Sequence, residues 1–137
     1  MCRMALRRFT IDEANELIPR LEMLMERLQR TTLAVRSAVH DAEPQPAVRT
    51  TVDVLRVRPE LAPYVAEIES TVAEIERLGG QFKGIDLGLV DFLGEVEGRP
   101  ALLCWQYGEK SIAFWHAIDE GFTGRQPLPT APPTPLQ

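Results

Sequence analysis

Cysteine, histidine and surplus positive charge are all scarce in this 137-residue chain, with two Cys, two His and 15 Lys and Arg against 20 Asp and Glu. A net charge of −5 argues against nucleic-acid binding, which works by neutralising phosphates with surplus cations. The basic residues gather only at Arg3, Arg7 and Arg8 and around Arg49, Arg56 and Arg58. Neither group is interleaved with the aromatics on which bases stack. With Cys2 near the terminus and Cys104 in an apolar stretch, no structural disulfide is expected, and the reading is a reducing, cytoplasmic compartment. No apolar run reaches the roughly 18 residues that span a bilayer. The charged N-terminus lacks the apolar segment of a secretory signal, so no membrane partner is expected. CxxC and HExxH are absent. The glycines at Gly79-Gly80, Gly84 and Gly88 follow a helix pattern and precede a strand, the reverse of the order that cradles a phosphate.

What is present fits one domain over residues 1–126, with about 115 residues of foldable material. Thr10 and Glu13 form a capping box at the start of a helix over about 11–39, with Phe9 placed as its staple. Apolar residues then recur at Ala14, Leu17, Ile18, Leu21, Leu24, Met25, Leu28, Val35 and Val39. The stripe is wider than a coiled-coil seam, so its surplus must meet a sheet or a second subunit. Pro19 falls inside the helix and predicts a kink there, a break at Leu17–Ile18 being the other reading. Residues 41–58, with Pro44 and Pro46, read as loop. A second helix over about 59–78 carries Leu61, Val65, Ile68, Val72, Ile75 and Leu78 and ends at Gly79-Gly80. Beyond it the period changes to two. Strands are expected at 86–93, 101–107 and 112–117, with a turn at 94–98, as a three-stranded antiparallel meander over about 86–117. The expected fold class is α+β: a long antiparallel helical hairpin on a small meander. Residues 127–137, rich in proline, read as a disordered tail.

The chemically capable residues concentrate between Lys83 and Arg125, which hold both tryptophans, Cys104 and His116. The candidate binding site comprises Lys83, Asp91, Cys104, Trp105, Glu109, Trp115, His116 and Arg125. Each also has a plainer role: buried thiol, satisfied core histidine, packed indole, solvated cation. An even loop between the last two strands gives the more apolar common face and is preferred. It puts Leu103, Trp105 and Tyr107 with Ile112, Phe114 and His116, and separates Cys104 from His116. An odd loop would bring Cys104 beside Phe114 and His116, because one residue of slip exchanges faces. That choice decides whether a thiol–imidazole pair exists at all. Asp91 shares a strand face with leucines, where a carboxylate needs a partner; Arg99, Lys83 or Arg125 are the candidates. Cys104, His116, Asp119, Glu120, Asp91 and Glu109 are metal-ligand types without diagnostic spacing. No cofactor is expected, a divalent metal on Cys104, His116 and Asp91 being the alternative. The pattern assigns no catalytic residue.

The segments FTIDEANELIPRLEMLMERL, GGQFKGIDLGLVDF and LLCWQYGEKSIAFWHAIDEGFTGRQPL together resemble a bacterial family, domain of unknown function 2203. The resemblance implies the helices-then-meander layout and carries no activity. It also implies that Lys83, Gly88, Asp91, Phe92, Cys104, Trp105, Gly108, Glu109, Trp115, His116, Gly121, Phe122 and Arg125 belong to the family pattern. Gly84 departs from it, standing where related sequences carry an acid. The leading expectation is a non-enzymatic interaction module that self-associates, as a dimer, through its amphipathic helices. The alternative is a small-molecule or metal-dependent enzyme with a site around Asp91, Cys104, Glu109, His116 and Arg125. The sequence names no small-molecule ligand.

Overall fold

The computed structural model describes residues 7–42 and 48–129. Cys2, Pro44, Pro46 and the tail from Thr130 onward lie outside them. Four helices precede a five-stranded antiparallel sheet, so the fold class is α+β. The helices are α1 (Ile11–Glu16), α2 (Ile18–His40), α3 (Thr51–Val57) and α4 (Ala62–Arg77). The strands are β1 (Gln81–Gly84), β2 (Leu89–Val96), β3 (Arg99–Gln106), β4 (Phe114–His116) and β5 (Gln126–Pro127), hydrogen-bonded in that order.

The capping box forms as its residues dictate. The Glu13 amide donates to the Thr10 hydroxyl at 3.0 Å, and the Thr10 amide to Glu13 Oε1 at 3.0 Å. Instead of kinking at Pro19, the helix breaks at Leu17, and α2 starts anew with the proline in its first turn. That position needs no amide proton from proline, whereas a helix interior does. The expected 41–58 loop contains α3. Its start is a second capping box, Thr50 with Asp53, and Val54 packs with Val35, Leu61 and Val65. The second long helix opens with a single 3-10 turn, Pro59–Leu61, before α4. Arg20 pairs with Glu74 and Arg58 donates to the Ala38 carbonyl at 2.7 Å, so α2 and α4 run antiparallel.

The wide stripe is used within one chain. Ala14, Ile18, Leu21, Leu24, Met25 and Leu28 share a core with Val90, Phe92, Ala101, Leu103 and Trp105. Its surplus width therefore meets the sheet. Among the described residues no helix is long and apolar enough to cross a membrane.

The sheet differs from the expected three strands in several places. Residues 85–88 form a turn, and the strand expected at 86–93 is shifted to β2, after the additional strand β1. Residues 94–96, expected as turn, continue β2. Gly94 serves close packing there, since a Cβ would lie 2.8 Å from the Phe9 carbonyl oxygen. The hairpin turn is Glu97-Gly98, both at positive φ (54° and 81°), a backbone twist that matches the flanking strands. At the C-terminal end, β5 pairs with β4, and Leu128 is buried. The ordered domain thus runs past the expected boundary at 126.

The last hairpin takes the odd register. Leu102 faces His116, Leu103 faces Trp115 and Cys104 faces Phe114. The even register drew its appeal from Ile112 as a strand residue. Ile112 instead enters the helix-side core from the loop, its amide donating to Asn15 Oδ1 at 2.6 Å. The loop is further shaped by the Trp105 indole donating to the Glu109 carbonyl at 3.0 Å. Phe114 is thereby released to the other face.

Candidate functional site

Register places three residues side by side on the sheet face turned away from the helices. Asp91 on β2 opposes Cys104 on β3, and His116 on β4 lies one pair further along the same face. From the segment after β4, Glu120, Gly121 and Phe122 line the same cavity as these three residues, and Arg125 contacts Cys104. All three are buried: Cys104 is 1% exposed, Asp91 and His116 2%. One ligand atom from each (a carboxylate oxygen, the thiol sulfur, a ring nitrogen) lies within 4.8 Å of the others.

Asp91 Oδ2 meets His116 Nε2 at 3.0 Å, and His116 Nδ1 meets the Ala117 carbonyl at 2.9 Å. A carbonyl oxygen only accepts, so Nδ1 holds a proton and Nε2 is the nitrogen turned inward. The other carboxylate oxygen, Asp91 Oδ1, is buried with no hydrogen-bond partner among the described residues. Such an orphan costs roughly 1–3 kcal/mol, more for a charged group.

Arg125 organises the sulfur. Its Nε donates to Cys104 Sγ at 3.3 Å, and its Nη2 donates to the Cys104 carbonyl at 3.2 Å and to Glu109 Oε1 at 2.6 Å. The guanidinium also lies 4.2 Å from the Phe114 ring centroid and 5.1 Å from that of Phe122. Burial pushes the Cys104 thiol up to about 11; the Arg125 hydrogen bond opposes this and the Asp91 charge adds to it.

A cavity of about 290 Å³ opens onto the three residues and is further lined by Lys83, Leu89, Glu120, Gly121 and Phe122. The expected site residues divide accordingly. Asp91, Cys104 and His116 converge, with Lys83 at the rim and Arg125 and Glu109 behind the sulfur. Trp105 and Trp115 do not join them: Trp105 is in the helix-side core, and Trp115 packs against that core from the same face. Asp91 is paired by His116 rather than by Arg99, Lys83 or Arg125; Arg99 lies opposite Val96, at the far end of β2. Glu120, named only as a metal-ligand type, and Phe122, named only through the resemblance, line the cavity although the candidate binding site omitted them. Their signal was local: a carboxylate and an aromatic ring four and six residues after the histidine.

The arrangement does not build a thiolate–imidazole nucleophile. Both ring nitrogens of His116 are engaged by other groups, and the buried thiol keeps its proton near neutral pH. The donor set is instead one sulfur, one imidazole nitrogen and one carboxylate, the types that bind zinc and its neighbours. The Nδ1–H bond to a backbone carbonyl is the outer contact by which proteins orient a metal-binding histidine.

A family model described as an uncharacterized conserved protein (DUF2203) matches residues 7–128. Comparison with curated proteins and with solved structures gives no match.

Proposed function

We propose, from the premise that the chain belongs to the domain of unknown function 2203 family, that it is a metal-binding protein. Its centre is Asp91, Cys104 and His116. The observation that carries this reading is the buried convergence of three different ligand types around a carboxylate oxygen with no partner. A divalent ion of the zinc class would take an Asp91 carboxylate oxygen, Cys104 Sγ and a His116 ring nitrogen, Nε2 being the one turned toward Asp91. Bond lengths of about 2.0–2.3 Å imply ligand atoms roughly 3.3–3.7 Å apart. Closing from separations of up to 4.8 Å asks for side-chain shifts of about an ångström. Three protein ligands would leave a fourth position for a further ligand, as in catalytic rather than purely structural zinc sites. The ion would hold Cys104 as thiolate, with Arg125 supporting the sulfur.

Self-association through the helices, the other expected role, rested on uncovered apolar surface. That stripe packs on the sheet from Ala14 to Leu28 and against Val54, Leu61 and Val65 at Val35 and Val39, which removes that support without testing self-association itself. The test is elemental analysis of tag-free protein followed by cobalt(II) titration. One equivalent should bind, with a sulfur-to-cobalt charge-transfer band that Cys104→Ser abolishes. Asp91→Asn and His116→Gln should each weaken binding at least about tenfold. Folded protein that takes up no stoichiometric metal would end the reading.

A further inference from the structure

We infer that the metal centre, on which this inference rests, is the anchor for a small anionic oxygen ligand, with a carboxylate favoured and Lys83 as its second contact. Lys83 reaches the cavity for a structural reason. Gln81 pairs with Asp91 and Phe82 with Val90, but the register then slips before Gly84 meets Leu89. Lys83 follows Phe82, so strand alternation turns it to the face that carries Gln81 and Asp91. Phe82 stays packed against the helix-side core, while Lys83 lines the cavity above Asp91.

Charge then selects the ligand. A divalent ion with one carboxylate, one thiolate and a neutral imidazole sums to zero. Arg125 is matched by Glu109 at 2.6 Å. Among the described residues Lys83 forms no ion pair, so its ammonium is the uncommitted cation at the mouth. An anionic oxygen can occupy the open metal position and face Lys83 together. Glu120 lines the same cavity, its Oε1 accepting from the Ala117 amide at 3.3 Å. Its negative charge offsets that of Lys83 and opposes a dianion more than a monoanion, which favours a carboxylate bound between the metal and Lys83 over a phosphate. Leu89 and Phe122 offer an apolar wall to a short hydrocarbon substituent, and about 290 Å³ admits only a compact molecule.

The test uses the cobalt(II)-loaded full chain at fixed ionic strength in a weakly coordinating buffer, titrated separately with acetate, butyrate and inorganic phosphate. The visible cobalt bands should change saturably with acetate, more tightly with butyrate and more weakly with phosphate. Lys83→Ala should weaken carboxylate binding about fivefold or more, the scale of one partly screened charge pair, without weakening cobalt binding, since it removes a cation and no metal ligand. Glu120→Gln should tighten phosphate more than acetate. A phosphate preference over both carboxylates would overturn the carboxylate assignment. Normal cobalt bands that ignore all three anions, or respond equally in Lys83→Ala, would overturn the inference alone. Absence of cobalt bands from the unsubstituted chain would overturn both it and the metal reading.

Discussion

The two faces of this sheet share strands yet do opposite things. Toward the helices, Val90, Phe92, Leu103 and Trp105 are buried among Leu21, Leu24, Met25 and Leu28. One residue out of phase, Asp91, Cys104 and His116 are equally buried but polar, beneath a short covering segment with a cavity above them. The alternation of side chains along a strand is enough to separate a stabilising layer from a chemical one. The helix-side face gains from being dry. The outer face holds an unpaired carboxylate oxygen, costly where it is buried, beside a thiol that burial keeps protonated.

Substitutions should divide along the same line. Trp105→Ala, on the helix-side face, should cost about 3–5 kcal/mol in urea denaturation while folded molecules keep their metal stoichiometry. On the outer face, His116→Gln in metal-free protein removes the imidazole that meets the buried Asp91 carboxylate and should cost about 3 kcal/mol. Adding Asp91→Asn to it should recover part of that loss, a coupling that independent sites would not show.

The thiol gives a pH test of the metal-free chain. Cys104 holds its proton up to about 11 in the fold, against 9.0 ordinarily. A raised folded value means stability is full below the ordinary value and is lost as pH climbs toward the folded one. Denaturation midpoints should fall between about pH 9 and 11 by an equivalent of roughly 2–3 kcal/mol, and Cys104→Ala should remove that fall. The smallest effect belongs to Thr50→Ala, away from both faces. It should cost about 1 kcal/mol through the lost cap on α3 and leave metal binding untouched.

Local signals carried the helices. The Thr10–Glu13 box, the stripe from Ala14 to Val35 and the Gly79-Gly80 stop are each written within a few turns of chain. A second box, Thr50 with Asp53, was equally local, but the prolines at 44 and 46 drew the whole segment into a loop reading. β1 is four residues with an irregular register, too short for period two to register. The site was legible as a set of residues and not as a geometry. Asp91, Cys104 and His116 meet only through cross-strand pairs 13 and 14 residues apart, Asp91 with Cys104 and Leu102 with His116. The second of these hinges on Ile112, which left the strand for the core and changed the parity of the loop. The core-facing residues of the helices could be named from apolar periodicity alone, but on the sheet apolar content grouped Phe114 and His116 with Leu103 and Trp105, where Trp115 belongs. The outer face, where polar groups replace that pattern, required the register.

X-ray absorption at the metal edge tests the account most directly, since it reads the ligand atoms without reference to any activity. Zinc-loaded protein should give one sulfur scatterer near 2.3 Å with nitrogen and oxygen at about 2.0–2.2 Å, and the sulfur should vanish in Cys104→Ser. A shell of oxygen alone, unchanged by that substitution, would contradict the assignment of Asp91, Cys104 and His116 as a metal centre.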